Sequence, residues 1–485
     1  MKSIKKIALI IGPLVAAIIH LFFNIPEYPM ASTMLGIGFW MVLWWITECV
    51  PLAVTALIPL ITFPLTGIAS AKEIAPRYMT SIMFLFIGGF LIAQAMERTG
   101  LHKRIALLIL SRWHATPMQM MAGFIGATAF LSMWVSNTAT TMLMLTIALA
   151  VLSRIDGLQL SKAVTTSFAT TLLLMIAYAA NLGGMATPVG TVPNLVFLEL
   201  ITEQNAALRP TFLQWMLVGV PLALAGLGLL LIIARLRVHK LSWFSADELG
   251  VREDHEALGP MRYEEKAVAW VLGMAALAWM TRKGIALDSF TIPGWSSLLP
   301  YDGVDDGTVA VIAAFILFLI KAKDGSAILG QDAFSRLPWG VLILLGGGFA
   351  LATGVQNSGL SSWIGESLYF FSGLSFVLVL LAVAVLMIFL TEMTSNTAIT
   401  QVMLPILAAL ALGANYDMTM LMLTATFAAS CAFMLPVATP PNAIVFASGR
   451  IPMQTMVRTG IVLNLLMPIV IVSVLWLLRG LLPSL

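Results

Sequence analysis

Apolar runs long enough to cross a lipid bilayer follow one another along almost the whole chain. Hydrophobic residues make up 60% of the 485 residues and charged residues only 10%, with a mean hydropathy of +0.97. A membrane-spanning helix needs ~20 apolar residues, and inside lipid its backbone must be hydrogen-bonded internally. The sequence therefore excludes a water-soluble domain and predicts an all-α polytopic membrane protein with about eleven transmembrane spans.

Motif content argues against several other classes of protein. The two cysteines, Cys49 and Cys431, lie in or beside apolar runs, and the five histidines have no zinc-ligand spacing. No H-E-x-x-H, G-x-S-x-G or P-loop motif occurs. We therefore expect no enzymatic activity, no cofactor, no ATP-driven transport and no nucleic-acid partner. A channel remains an alternative, although a channel needs an open polar pore.

Two apolar runs are too long for one span, and each carries a polar triplet. The first run covers 118–152 with Ser-Asn-Thr at 136–138, and the second covers 372–412 with Ser-Asn-Thr at 395–397. Polar groups at this depth must be bonded within the protein or line a wet cavity. We interpret each run as a re-entrant helical hairpin with the triplet at its tip.

Two other spans are interrupted by glycine and proline. The span at 163–205 breaks near Gly190 and Pro193, and the span at 418–448 breaks near Pro440 and Pro441. Residues of these types at this density cannot continue a helix. Both segments are predicted to be broken helices whose freed backbone carbonyls face a cavity.

The order of these features repeats along the chain. Gly88 and Gly347 are 259 positions apart, as are Ser136 and Ser395, whereas the loop residues Thr191 and Thr439 are 248 apart. The pattern divides the chain into a first repeat at 1–234, a charged cytoplasmic connector at 235–266 and a second repeat at 267–485. Repeats with interrupted spans at matching positions indicate a secondary transporter with a site at the membrane midplane.

The distribution of basic residues predicts the orientation of the chain. With a cytoplasmic N-terminus, and with each hairpin returning to the face it entered from, 20 of the 26 Lys and Arg residues lie inside. The two hairpins then enter from opposite faces, so that the repeats are inverted. We expect a multi-pass protein of a bacterial inner membrane, since no Asn-x-Ser/Thr glycosylation sequon occurs.

Four motifs of this chain resemble those of the divalent anion/sodium symporter family. They are the two Ser-Asn-Thr triplets, the Thr-Val-Pro-Asn loop at 191–194 and the Thr-Pro-Pro-Asn loop at 439–442. The resemblance covers essentially the whole chain, and one departure from the family loop is Val192, where proline is usual. It implies an elevator mechanism, in which a group of helices that contains the hairpins slides as a unit against a homodimeric scaffold.

The same resemblance implies two sodium sites and one substrate site. The first sodium site would use Ser132, Ser136, Asn137 and Gly190. The second would use Thr391, Ser395, Asn396 and Ala438. The substrate would lie between the two tips and contact Ser136, Asn137, Thr138, Thr191, Ser395, Asn396, Thr397, Thr439 and Pro440.

Charge independently supports cation coupling. Neither hairpin tip and neither broken loop contains Lys or Arg, and an unneutralised dianion at low dielectric is costly. Two equivalent tips suit a C4-dicarboxylate such as succinate, malate or fumarate carried with Na⁺. Sulfate, citrate and sodium-independent exchange remain alternatives. Glu392, the acid beside the second tip, could serve either hairpin packing or proton relay.

Overall fold

The computed structural model describes residues 2–113, 116–157, 161–238, 250–287, 290–301, 303–369 and 373–483. Within these ranges the structure is almost entirely helical, accompanied by a two-stranded antiparallel sheet. The prediction of an all-α polytopic protein is thereby confirmed. Residues 239–249 of the predicted connector and residue 372 at the start of the second hairpin lie outside the described residues.

The first half of the chain contains twelve of the α-helices in the described ranges. They are α1 Lys2–Phe22, α2 Pro29–Thr47, α3 Leu52–Thr55, α4 Ile58–Thr66, α5 Ala71–Ile74, α6 Ser81–Thr99, α7 Leu101–Leu110, α8 Pro117–Ser132, α9 Asn137–Gly157, α10 Lys162–Gly184, α11 Val192–Gln204 and α12 Phe212–Val238. A 3-10 turn at Ala75–Tyr78 precedes α6.

The elements of the second half follow a corresponding order. They are α13 Val251–Glu256, α14 Tyr263–Thr281, β1 Ile285–Leu287, β2 Phe290–Ile292, α15 Asp306–Leu319, α16 Asp332–Ser335, α17 Trp339–Asn357, α18 Leu360–Ser367, α19 Phe376–Thr391, α20 Asn396–Ala414, α21 Met418–Ala429, α22 Pro440–Ala447 and α23 Met453–Leu478.

Nine helices of the described ranges are long and apolar enough to cross a membrane. The described ranges also contain shorter apolar helices, among them α15, α19 and α21. The pairs α8–α9 and α19–α20 form the two hairpins, and the pairs α10–α11 and α21–α22 form the two broken helices. This is the arrangement of spans, hairpins and breaks that the sequence pattern predicts.

Each hairpin turns just before its triplet's asparagine. Residues 133–136 and 392–395 lie between the paired helices, so Asn137 and Asn396 begin α9 and α20. Both breaks end in proline at the start of the next helix, Pro193 in α11 and Pro440 in α22. Proline is tolerated there because the first amides of a helix have no intrahelical acceptor.

Matched glycines allow matched close contacts between helices. A Cβ atom on Gly88 would lie 2.6 Å from the Cβ of Ala310 in α15. A Cβ atom on Gly347 would lie 2.4 Å from the Cβ of Ala56, between α3 and α4. Glycine at these two positions therefore permits a close approach that a larger side chain would prevent.

Packing between the halves is reciprocal. Helix α9 packs on α22, and its counterpart α20 packs on α11. Helix α10 likewise contacts α22, as α21 contacts α11, and α6 contacts α15 as α17 contacts α3 and α4. Such an exchange of equivalent contacts is what a pseudo-two-fold relation between inverted repeats produces.

Candidate functional site

The first hairpin tip gathers three oxygen atoms. The hydroxyl of Ser132 lies 2.6 Å from Asn137 Oδ1 and 2.7 Å from the backbone carbonyl oxygen of Ala180 in α10. A serine hydroxyl has one proton, so it donates to one of these two oxygens at a time. Ser132 is completely buried. A cluster of neutral oxygens without a full set of donors suits a small hard cation.

The second tip repeats this cluster. The hydroxyl of Thr391 lies 2.5 Å from Asn396 Oδ1 and 2.9 Å from the carbonyl oxygen of Ala429 in α21. Thr391 is also completely buried. The hydroxyl and asparagine residues were predicted from the sequence, whereas the two alanine carbonyls were missed because a backbone oxygen has no sequence signature.

Glycine packing brings the first broken loop against the first tip. A Cβ atom on Gly184 would lie 2.7 Å from Asn137 Oδ1, and one on Gly190 would lie 2.4 Å from the Gly184 carbonyl oxygen. Gly184 therefore lies between Asn137 and Gly190 and is in close contact with both. Ala438, its counterpart in the second loop, is buried and lines the same cavity as Ser395 and Asn396.

An asparagine in the first turn of the following helix binds carbonyl oxygens at the start of each broken loop. Asn194 Nδ2 donates to the carbonyl oxygens of Gly184 and Thr187, at 3.1 and 2.8 Å. Asn442 Nδ2 donates to the equivalent oxygens of Ala432 and Leu435, at 3.0 and 3.1 Å. These roles were missed from the sequence, although both asparagines end the loop motifs that match between the repeats.

Glu392 braces the second loop. Its Oε1 accepts the backbone N–H groups of Phe433 and Met434, at 2.7 and 2.8 Å, and its Oε2 accepts that of Leu435 at 3.0 Å. The amide of Asn464 in α23 donates to Oε1 at 2.7 Å. Of the two roles considered, this geometry favours packing, because a carboxylate with four donors is held in place.

The first loop is braced by neutral groups instead. Met133 occupies the place of Glu392, and its carbonyl oxygen accepts the hydroxyl of Thr187 at 2.6 Å. Trp215 in α12 donates its indole N–H to the carbonyl oxygen of Met185 at 3.1 Å. The loops thus share a shape but differ in charge.

A cavity of about 550 Å³ lies between the tips and loops. All nine predicted substrate residues line it, as do Gly190 and Ala438, while the buried hydroxyls of Ser132 and Thr391 lie behind its wall. Among the described lining residues none is Lys, Arg or His, and Glu48 is the one with a charge. Other lining residues, which no sequence motif indicated, include Phe86, Phe90 and Asn181.

These features define a multi-pass membrane transporter with an internal site formed by two repeats. The chain belongs to the family described as the sodium:sulfate symporter transmembrane region, whose family model matches residues 4–482. The family resemblance inferred from the loops and triplets is thereby confirmed.

Similar proteins include the sodium-dependent dicarboxylate transporter SdcS of Staphylococcus aureus. The protein of strain USA300 is 39% identical over 481 residues, which cover 97% of this chain and 91% of that protein. SdcS of strain NCTC 8325 has the same identity and coverage.

Two solved transporters have a similar fold at low sequence identity. The YdaH transporter of Alcanivorax borkumensis aligns with a TM-score of 0.60 and 13% identity over 92% of this chain and 100% of that chain. MtrF of Neisseria gonorrhoeae aligns with a TM-score of 0.57 and 12% identity over 87% of this chain and 84% of that chain. At these identities the likeness concerns the fold alone.

Proposed function

We propose that this protein carries a C4-dicarboxylate such as succinate, malate or fumarate together with Na⁺ by alternating access. The observation that carries the proposal is a cavity between two oxygen clusters whose described lining contains no basic side chain. The name of the relative SdcS, a sodium-dependent dicarboxylate transporter, supports the same substrate class.

Electrostatics explain why sodium and substrate bind together. A dianion in this cavity meets hydroxyls, amides and the N-termini of α9 and α20, whose helix dipoles are positive at that end. These partial charges do not neutralise two full charges removed from water. Two Na⁺ ions supply the missing charge, and each ligand therefore raises the affinity of the other.

Each cation takes the oxygens of one tip and one loop. The first proposed site contains Ser132, Ser136, Asn137 and Gly190, and the carbonyl oxygen of Ala180 joins it. The second contains Thr391, Ser395, Asn396 and Ala438, and the carbonyl oxygen of Ala429 joins it. These sets consist of neutral oxygens, which suit a monovalent hard cation.

The lining of the cavity extends toward the end of α2 that lies beside the start of α1, near the N-terminus. It includes Glu48 and Pro338, and the ammonium of Lys5 in α1 donates to the backbone carbonyl of Glu48 at 3.0 Å. With the N-terminus cytoplasmic, we propose that this is an inward-facing state. Near the opposite face, Arg77 and Glu203 form an ion pair at 2.6 Å between the 3-10 turn before α6 and the end of α11.

We further propose that the hairpins and broken helices move together against a homodimeric scaffold. Helices α8–α11 and α19–α22 form the moving group, and the Arg77–Glu203 pair joins it to the scaffold in the inward-facing state. Crosslinks between the two groups are expected to stop transport while substrate binding continues. Unchanged transport in crosslinked protein contradicts the elevator mechanism.

Uptake by purified protein in liposomes tests the transport function. Radiolabelled succinate should accumulate with an inward Na⁺ gradient, with a Hill coefficient for Na⁺ above one, and accumulation should disappear when choline replaces Na⁺. Equal uptake in choline overturns symport and favours sodium-independent exchange. Sulfate and citrate are tested as competitors of labelled succinate. If either one inhibits uptake more strongly than unlabelled succinate does, the site is assigned to that anion.

A further inference from the structure

Asn181, in the last turns of α10, connects the two halves of the cavity. Its side chain is 2% exposed and forms part of the cavity lining. Its Nδ2 donates a hydrogen bond to Oγ1 of Thr439, at 3.3 Å. A residue of the first repeat therefore contacts Thr439 of the second broken loop.

This contact determines what the Thr439 hydroxyl can do. Its oxygen also accepts the backbone N–H of Asn442, at 3.4 Å. A threonine hydroxyl has two acceptor positions and one proton. With both acceptor positions occupied by N–H donors, the hydroxyl donates its proton, and a carboxylate in the cavity is the acceptor it suits.

The same arrangement is missing from the first loop. Thr191, the counterpart of Thr439, makes no side-chain hydrogen bond to the start of α11. Ser430, the counterpart of Asn181 by the alignment of Ala180 with Ala429, is buried, and its hydroxyl has no hydrogen-bond partner among the described residues. The pseudo-two-fold relation is therefore broken at this pair of positions.

Helix α10 also contacts the second broken helix and the residues just after it at two other points. The hydroxyl of Tyr178 donates to the carbonyl oxygen of Phe433 at 2.7 Å, and that of Thr170 donates to the carbonyl oxygen of Arg450 at 2.9 Å. Tyr178 and Phe433 also form a T-shaped ring contact. These contacts pack α10 against the segment that carries Thr439, where the amide of Asn181 reaches its hydroxyl.

We propose that Asn181 is a positioning residue of the substrate site, which holds the Thr439 hydroxyl so that it donates to one carboxylate of the bound dianion. The inference rests on the proposed function and adds a residue outside both Ser-Asn-Thr triplets. It also makes the two ends of the site unequal, because Thr191 at the first-repeat end lacks, among the described residues, the N–H donors that orient the hydroxyl of Thr439.

A double-mutant cycle tests the inference by binding. Succinate is titrated into purified wild type, Asn181→Ala, Thr439→Ala and the double variant at saturating Na⁺, with sulfate and citrate as further probes. Each single change should raise the Kd by about three- to tenfold, the size that one neutral hydrogen bond supports. The double variant should be no weaker than Thr439→Ala alone, because Asn181 acts through that hydroxyl.

Two controls separate positioning from general damage. Ser430→Ala changes the matching position in the second repeat and should leave the Kd unchanged. In a Thr439→Ser background, which keeps the hydroxyl, Asn181→Ala should again weaken binding. The stabilisation of each variant by Na⁺ alone, measured as a shift in Tm, should match the wild type, whereas a collapsed site would lose it.

The outcomes separate the two proposals. If the wild type binds one of the three anions but Asn181→Ala leaves its Kd unchanged, or if the two substitutions add independently, the role of Asn181 is wrong and the transport function stands. If the wild type binds none of the anions, the proposed function fails, and the role of Asn181 fails with it.

Discussion

Ser132 and Thr391 occupy equivalent places, each between an asparagine oxygen of its own hairpin and a carbonyl oxygen of the following broken helix. Neither hydroxyl can donate to both neighbouring oxygens at once. A bound Na⁺ would resolve the conflict, since all three oxygens can then coordinate it through lone pairs.

Removing either hydroxyl should weaken sodium binding. In Ser132→Ala and in Thr391→Ala, the Na⁺ concentration for half-maximal succinate uptake should rise on the order of tenfold, because one interaction with a charged partner is lost. The measurement is initial uptake into liposomes over a range of Na⁺ concentrations.

Thr146→Ala is the matched control for this prediction. Its hydroxyl is exposed and bonds the carbonyl oxygen of Met142 within the same helix, α9. That variant should keep the wild-type sodium dependence. A normal sodium dependence in both tip variants would remove these hydroxyls from the proposed sites.

At the scale of the element, the broken loops are similar in shape but unequal in bracing. The second loop wraps three consecutive amides around the Glu392 carboxylate, whereas the first uses Thr187 and Trp215. Other matched elements are closely alike. Gly100 directly precedes α7, and its counterpart Gly359 directly precedes α18. Their φ angles are +79° and +77°, a conformation that favours glycine.

Replacing the carboxylate should therefore loosen the second loop. In Glu392→Gln one end of the side chain becomes an N–H donor that faces backbone N–H donors, so at least one charged hydrogen bond is lost, at a cost of about 2 kcal/mol. We expect a lower Tm for the purified protein in Na⁺. We also expect a higher Na⁺ concentration for half-maximal uptake.

Met133→Leu, at the matching position of the first tip, provides the comparison. Only the backbone oxygen of Met133 takes part in bracing its loop, so this nearly volume-conserving change should leave both Tm and sodium dependence close to wild type. Equal effects of the two substitutions would show that the charge of Glu392 has no special part in the second loop.

At the scale of the whole molecule, each repeat completes the other. Hairpin helix α9 packs on α22 of the second half, and α20 packs on α11 of the first. Neither half buries its own hairpin and broken helix fully without the other half. The cavity is therefore complete only when the two repeats of the chain pack together. We infer that the two tips meet from opposite faces of the membrane.

Labelling from the two faces tests the inverted orientation. Single cysteines at the exposed positions Ser153, near the end of α9, and Asn415, just after α20, should react with a membrane-impermeant maleimide from opposite sides. Ser153→Cys is expected to react from the cytoplasm and Asn415→Cys from outside, measured in inside-out and right-side-out vesicles.

The background for this labelling lacks Cys49 and Cys431, both replaced by alanine, and it must retain succinate uptake. The parent without added cysteine should remain unlabelled in both vesicle types. Reaction of Ser153→Cys and Asn415→Cys from the same face contradicts inverted repeats.

The sequence by itself determined the class of the protein, the hairpins, the breaks and the residues of both tips. It could do so because lipid permits few backbone arrangements, and because a polar triplet or a proline cluster within an apolar run is costly unless it is used. The family resemblance that these triplets carry then added Ser132 and Thr391 to the predicted sites.

Only the tertiary structure decided which groups from distant segments complete the site. The carbonyl oxygens of Ala180 and Ala429 carry no side-chain signal, and Asn181 reaches Thr439 across 258 positions of chain. Glu392 was visible as an acid, but the amides that hold it come from a loop about 40 residues later. Periodicity and composition describe one segment at a time, whereas these contacts arise from packing between segments.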